Sequence, residues 1–275
     1  MKAEPKMKPK RKIIDAHTHI FPDKIAEKVS ENIGAFYGLD WYSPASVGNL
    51  ISAGNEIGVC HYLVCSTATV VSQVEHINDF IASVAAAHPE FTALMALHPD
   101  FENYEEELDR GMKMGLRGVK LHPDFQRFNM DEERLIPMYR AIAKRGLPLL
   151  IHMGDERYEY SRPCRLAQLM RAVPDLTVIA AHFGGYQRWE EALDTLPPSP
   201  NLWFDTSSSL GILSYDNAMR LMERFGVNKF MFGTDFPIWS PSVEVEKVEK
   251  LPLSDAEFEL VFSENFKRLF NMSNV

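Results

Sequence analysis

Ile13-Ile14-Asp15-Ala16-His17-Thr18-His19 decides how this chain is read, because an apolar lead-in runs straight into two histidines two residues apart. In a β-strand, side chains at i and i+2 point to the same face. His17 and His19 then stand side by side, and two neutral imidazoles in that relation can chelate one divalent cation. Ile13 and Ile14 are β-branched, which favours the strand. An isolated His-x-His is equally compatible with two ordinary polar strand residues, so the rest of the chain has to choose.

Outward from this segment, short apolar runs alternate with longer amphipathic stretches, the pattern of a parallel sheet with crossover helices. Eight runs read as strands: Lys12-Ala16, His61-Cys65, Thr92-Leu97, Gly118-Leu121, Pro148-His152, Thr177-His182, Leu202-Asp205 and Lys229-Asp235. Helices are expected at Val74-Ala87, Tyr104-Met114, Glu132-Arg145, Arg162-Val173, Trp189-Leu196 and Tyr215-Phe225. Ser254-Asp255-Ala256-Glu257 reads as a capping box that starts a last helix, which packs the barrel closed. Eight such units in 275 residues predict an α/β fold, a single distorted (β/α)8 TIM barrel with a metal site at the C-terminal ends of its strands. The domain is expected to span residues 12–275, behind a flexible basic tail at 1–11; the first twelve residues carry six basic side chains without an apolar signal-like run after them.

Composition narrows the class. Hydrophobic residues make up 45% and charged residues 24%, ordinary globular values, and the longest apolar runs are strand-length, which gives no membrane span. A net charge of −9 argues against a nucleic-acid groove or an anionic membrane surface and leaves a small molecule as the expected partner. Cys60, Cys65 and Cys164 form no C-x-x-C pair and are read as small buried hydrophobes in a reducing, cytoplasmic setting.

Metal-binding residue types recur where the apolar runs stop. Leu149-Leu150-Ile151 ends in His152, Val178-Ile179-Ala180-Ala181 ends in His182, and Phe230-Met231-Phe232-Gly233-Thr234 ends in Asp235. With His17 and His19, five candidate ligands or acid/base groups converge on the carboxyl face, where such barrels carry their chemistry. The loop between Ile20 and Ser43 brings Phe21, Phe36, Tyr37, Trp41 and Tyr42 to the same face, either to wall a pocket or to pack a surface helix at Asp23-Ile33.

Gly118-Val119-Lys120-Leu121-His122-Pro123, Ile151-His152-Met153-Gly154, Ala181-His182-Phe183-Gly184-Gly185, Phe204-Asp205-Thr206-Ser207 and Phe232-Gly233-Thr234-Asp235-Phe236-Pro237 complete a set that spans almost the whole chain. Together with the opening segment, the set resembles the amidohydrolase superfamily, in its amidohydrolase-2 branch, the group of aminocarboxymuconate-semialdehyde decarboxylase and related metal-dependent hydrolases. That resemblance implies one divalent ion, zinc first and manganese or iron(II) as alternatives, held by His17, His19, His152 and Asp235. It implies Asp235 as proton acceptor and His182 as an electrophile or acid/base partner, or the reverse with His182 as ligand. Lys120 on the fourth strand could, as in binuclear relatives, be a carboxylated bridge between two metals; the branch itself holds one. Homodimers or homotetramers occur among similar proteins.

Around that core, Arg157 could pair with a substrate carboxylate or form a salt bridge to Asp155 or Glu159. Its neighbour Tyr158 and the loop residue Trp41 are expected to touch substrate. His122 would bind substrate or cap the turn before Pro123, and Asp205 would hydrogen-bond a metal-bound histidine or cap the next helix. His98 is the one other histidine placed to face the pocket. The expected activity is hydrolysis of a small carboxylated lactone, amide or ester by metal-bound hydroxide. The alternatives are metal-dependent non-oxidative decarboxylation of an aromatic or unsaturated acid, and a catalytically silent barrel used for binding, which the presence of every expected ligand disfavours.

Overall fold

The computed structural model describes residues 11–272. Among the described residues, nine strands, β1 (Ile13–His19), β2 (Val59–Cys65), β3 (Phe91–Ala93), β4 (Met95–Ala96), β5 (Val119–Leu121), β6 (Leu149–Ile151), β7 (Val178–Ala180), β8 (Leu202–Asp205) and β9 (Phe230–Met231), pair in sequence order within two parallel ladders, β1 to β3 and β4 to β9. β3 and β4 are the two halves of the expected third strand. Leu94 at their junction donates to Val64 O on one side (3.0 Å) and Met95 donates to Gly118 O on the other (2.8 Å), so the sheet continues through the break. The last strand returns to the first: Ala16 N donates to Phe232 O, Asp235 N to His17 O and His19 N to Phe236 O, each at 2.8 Å. These bonds close the barrel between its first and last strands, as parallel βα units of this number require.

Asp15 fastens the seam. Its buried carboxylate accepts hydrogen bonds from Thr234 N (3.0 Å) and Thr234 Oγ1 (2.7 Å), tying β1 to the segment that carries Asp235. Inside the barrel, Ile14, Leu63, Leu94, Leu150, Ile179 and Met231 form one apolar cluster. Phe266 and Phe270 from the terminal helix Asn265–Phe270 plug its lower end. The opposite faces of the strands pack against the helices in a second, larger core.

α1 (Asp23–Tyr37) and α3 (Val74–Ala87) flank the mouth, and α2 (Val47–Ile57) lies between them in the chain and packs on β2. α1 runs four residues beyond the expected surface helix and carries Phe36 and Tyr37 with it. α2 is absent from the sequence reading, although Ser46 caps it by accepting from Asn49 N (3.2 Å) and Gly58 ends it in the left-handed region at φ 78°. The Ser254 capping box forms as read, with Ser254 and Glu257 bonding reciprocally. Of the expected tail, Arg11 alone lies within the described residues, and it is anchored rather than flexible, pairing with Asp255 at 2.6 Å and lying over the Phe258 ring. Cys60 is exposed, against expectation, because it is the one outward residue of β2 not covered by a helix; Cys65 is buried and Cys164 half-buried. No helix among the described residues is long and apolar enough to cross a membrane.

Candidate active site at the mouth of the barrel

β1 ends with His17 and His19 both turned into the mouth, while Thr18 between them points outward and donates to Leu63 O at 2.9 Å. The loop after β9 brings Asp235 to meet them: its Oδ1 lies 3.2 Å from His19 Nε2 and 3.5 Å from His17 Nε2. Asp235 sits in the left-handed region at φ 59°, as do His182 (φ 59°) and Ser208 (φ 51°). Non-glycine residues occupy that region at a cost, and such strain collects where a side chain must be aimed. Ser208 Oγ donates to Asp235 Oδ2 at 2.6 Å and fixes the carboxylate from behind.

Asp205 orders the imidazoles. Its Oδ2 lies 2.9 Å from His17 Nδ1, so a proton on Nδ1 leaves the Nε2 lone pair free toward the mouth. Ser207 Oγ is within 3.1 Å of the same nitrogen and 2.9 Å of His182 Nδ1. His182 Nε2 in turn faces His152 Nδ1 at 3.0 Å. His152 stacks on His122, with ring centroids 3.9 Å apart, and its Nε2 is buried without a hydrogen-bond partner, 3.4 Å from Asp124 Oδ2. Lys120, 1% exposed, places Nζ 3.2 Å from His17 Nε2.

The protonation states follow from burial and neighbours. Burial holds His17 down at about 4, with Lys120 adding to the effect, and burial likewise holds His122 and His152 well below the usual imidazole value. These rings are neutral near pH 7 and available as ligands. Burial opposes ionisation of Asp235 and Asp205, but it is outweighed at Asp235 by His17, His19 and His182 and at Asp205 by His17, His182 and Ser207. Asp235 is driven well below the usual carboxylate range, and Asp205 is brought to about 2. Burial would also lower His19, yet the Cys65 sulfur 3.5 Å from Nδ1 and the Asp235 carboxylate raise it to about 9. A cation bound at His19 must therefore displace a proton.

Among the described residues, three groups have ligand atoms close enough to share an ion: His17, His19 and Cys65; His17, His182 and Asp205; and, sharing no member with these, His122, Asp124 and His152. Neutral imidazole nitrogen with an ionised carboxylate suits a borderline divalent cation, and the unpartnered His152 Nε2 is a buried donor site without another use. The donor set fits such an ion. His17, His19 and Asp235 converge as expected, whereas His152 meets them through His182 and faces Asp124 on its other side.

A cavity of about 500 Å³ opens above this cluster, lined by His17, His19, Lys120, His122, His152, His182 and Asp235 at its floor. His122 takes the expected capping role, and its ring lies in the cavity lining. Its Nδ1 accepts from Phe125 N (3.3 Å), capping the turn, while Nε2 meets Tyr37 OH (3.1 Å) at the cavity wall. Phe21, Phe36 and Tyr37 line the cavity; Trp41 does not, being packed beside Gly34 at the end of α1. His98 also lies outside the lining.

Of its two expected roles, Arg157 takes the salt bridge to Asp155, and it lies outside the lining of the cavity. Its guanidinium grips Asp155 through Nε (2.9 Å) and Nη2 (2.7 Å), donates to Phe36 O (2.6 Å) and lies against the Phe36, Tyr37 and Tyr158 rings. The buried Asp155 carboxylate needs that partner, so the arginine braces the wall from outside and Tyr158 lines a separate, smaller cavity. Ser207 and Ser208 are site residues that the sequence reading assigned no role. Ser207 lay inside a quoted strand-end motif, and its position two residues past Asp205 was the available signal.

The amidohydrolase family model matches residues 14–272. A search of curated proteins finds no match. Among solved structures, the chain is similar to 5-carboxyvanillate decarboxylase from Sphingomonas paucimobilis, with 17% identity, a TM-score of 0.75, and coverage of 95% of this chain and 99% of that one. A dihydroxybenzoic acid decarboxylase from Polaromonas sp. JS666 with bound manganese shares 16% identity at a TM-score of 0.73, covering 96% and 98%. A protein assigned as a 2-pyrone-4,6-dicarboxylic acid hydrolase from Pseudomonas putida shares 20% at 0.69, covering 96% and 99%. At these identities the likeness establishes the barrel fold.

Proposed function

The chain belongs to the amidohydrolase family, and from that premise we propose that it is a metal-dependent hydrolase of a small organic ester, lactone or amide. The observation that carries this reading is the convergence of the His17 and His19 Nε2 atoms on an Asp235 carboxylate that stays ionised. His17, His19 and Asp235 would hold one divalent ion, zinc or manganese, with His152 the fourth candidate. When bound, such an ion supplies Lewis acidity and a water acidified toward neutrality.

The protein's own part is positioning and proton transfer. Asp205 holds His17 in the tautomer whose Nε2 faces the mouth. Asp235 takes up a proton at Oδ1, while the Ser208 hydroxyl on Oδ2 keeps the carboxylate from rotating away. His182, held by Ser207 and reaching into the cavity, is placed to donate a hydrogen bond to oxygen on which charge develops. Lys120 adds a donor on the other side of His17.

A second reading has its own support. No arginine among the described residues lines the cavity, so an acidic substrate's carboxylate would go to the floor, beside Lys120 and the candidate metal ligands, where decarboxylation needs it. Asp235 or His182 would then deliver a proton to carbon. The two reactions separate by product, since hydrolysis releases an acid measurable by pH-stat and decarboxylation releases carbon dioxide. Asp235→Asn should reduce either rate by at least about a thousandfold with an unchanged circular dichroism spectrum. A variant retaining more than a tenth of the activity would remove Asp235 from proton transfer.

A further inference from the structure

The cavity is charged at one end only. Among the described residues, Lys120 and Asp235 are the only Lys, Arg, Asp or Glu in its lining, and both sit at the floor. Its upper walls are two helices: α1 contributes Ile25, Val29, Ile33 and Phe36, and α3 contributes Ile77 and Phe80. The polar groups at the rim are uncharged amides and a hydroxyl, those of Asn32, Gln73 and Thr69, and the His76 ring.

The sequence of α1 shows that this apolar wall is not core. Ala26, Ser30 and Gly34, spaced by four, are the buried stripe that packs on the barrel. Ile25, Val29 and Ile33 each lie one residue earlier, about 100° around the helix. They remain partly exposed, Ile25 at 40%. The helix therefore buries its small residues and leaves its large apolar ones facing an open cavity, the reverse of what core packing favours. Such a wall gains by being covered with apolar ligand surface.

We propose that the ligand of this cavity is an amphiphile, with one polar or anionic head at the imidazole floor and an uncharged, extended apolar tail between α1 and α3. The head rests on the metal-dependent reading above; the tail does not. A second carboxylate on the tail would lose its water with no cation to replace it, so dicarboxylic acids are disfavoured.

Calorimetric titration of straight-chain monocarboxylic acids of four to ten carbons, into metal-loaded and into chelator-treated protein, reads head and tail separately. Each added methylene should tighten binding about fourfold in both forms until the cavity is filled. Dicarboxylic acids of equal length should bind at least about tenfold more weakly. Binding that is equally tight with and without metal would overturn the metal role of the floor and leave the tail intact. Affinity independent of chain length, or dicarboxylic acids binding as tightly, would overturn the proposal. Val29→Asp, in the half-buried stripe of α1, and Phe80→Asp on the facing wall should each cut the gain per methylene below about twofold. A gain that survives both substitutions would mean that the acids bind elsewhere, and would overturn it as well.

Discussion

Asp205 accepts from His17 Nδ1, His182 N, Ser207 N and Ser207 Oγ, so one buried carboxylate sets the orientation of two histidines on different strands. Asp205→Asn would keep the volume but present an amide that cannot satisfy all four donors. Divalent-ion affinity should fall about 10–100-fold, read by competition with a chromophoric chelator. Unchanged affinity would show that the His17 tautomer is set by something else. At the same scale Arg157 illustrates how a chain neighbour takes a charge out of play, because the carboxylate two residues away binds it in bidentate geometry before any substrate can.

The element that shapes the cavity is α1, and it depends on close approach at its end. A Cβ on Gly34 would lie 2.7 Å from Leu39 O and 3.2 Å from Trp41 Cδ1, while Leu39 N donates back to Gly34 O at 2.9 Å. Ser30, one turn earlier, donates to Ala26 O and accepts from Ala45 N, pinning the helix to the following loop. Gly34→Val should therefore destabilise the protein by about 1–3 kcal/mol in urea unfolding. It should also weaken monocarboxylate binding, because α1 must shift. A variant with wild-type stability would mean that the loop yields freely and that the glycine is not what seats the helix.

For the molecule as a whole, the buried imidazoles dictate the response to acid. His17 and His61 are held at about 4 by burial, and burial also lowers His98, His122 and His152. Asp15 and Asp124 act oppositely, since burial raises both to about 7. Between pH 6.5 and 4 the unfolded chain protonates its histidines while the folded one keeps these neutral, so stability falls as pH falls. The raised aspartates bind protons in the folded state across the same window and offset part of the loss. Unfolding of chelator-treated protein should take up roughly two to three protons net at pH 5, seen as a steep drop in Tm from pH 6.5 to 4.5. A flat profile would mean that these rings protonate without unfolding. Added zinc or manganese should raise Tm near neutral pH, because only the folded state gathers the ligands.

The barrel was legible because its signals are local. Apolar runs of strand length, the helix between Val74 and Ala87, the Ser254 capping box and the polar residues that stop each strand all depend on neighbours within a few positions. Strand ends converge in any closed parallel barrel, so His17, His19, His182 and Asp235 could be grouped before their distances were known. Whatever depended on partners distant in the chain was not readable. Phe36 O taking Arg157 Nη1, Asp15 sealing the seam against Thr234, and the split at Leu94 are decided by side chains and backbones that meet only after closure. The same holds for the cavity. Sequence spacing marks two stripes on α1 but not which one faces the body, and only packing, which admits Ala26, Ser30 and Gly34 at close range, turns the larger residues toward the site.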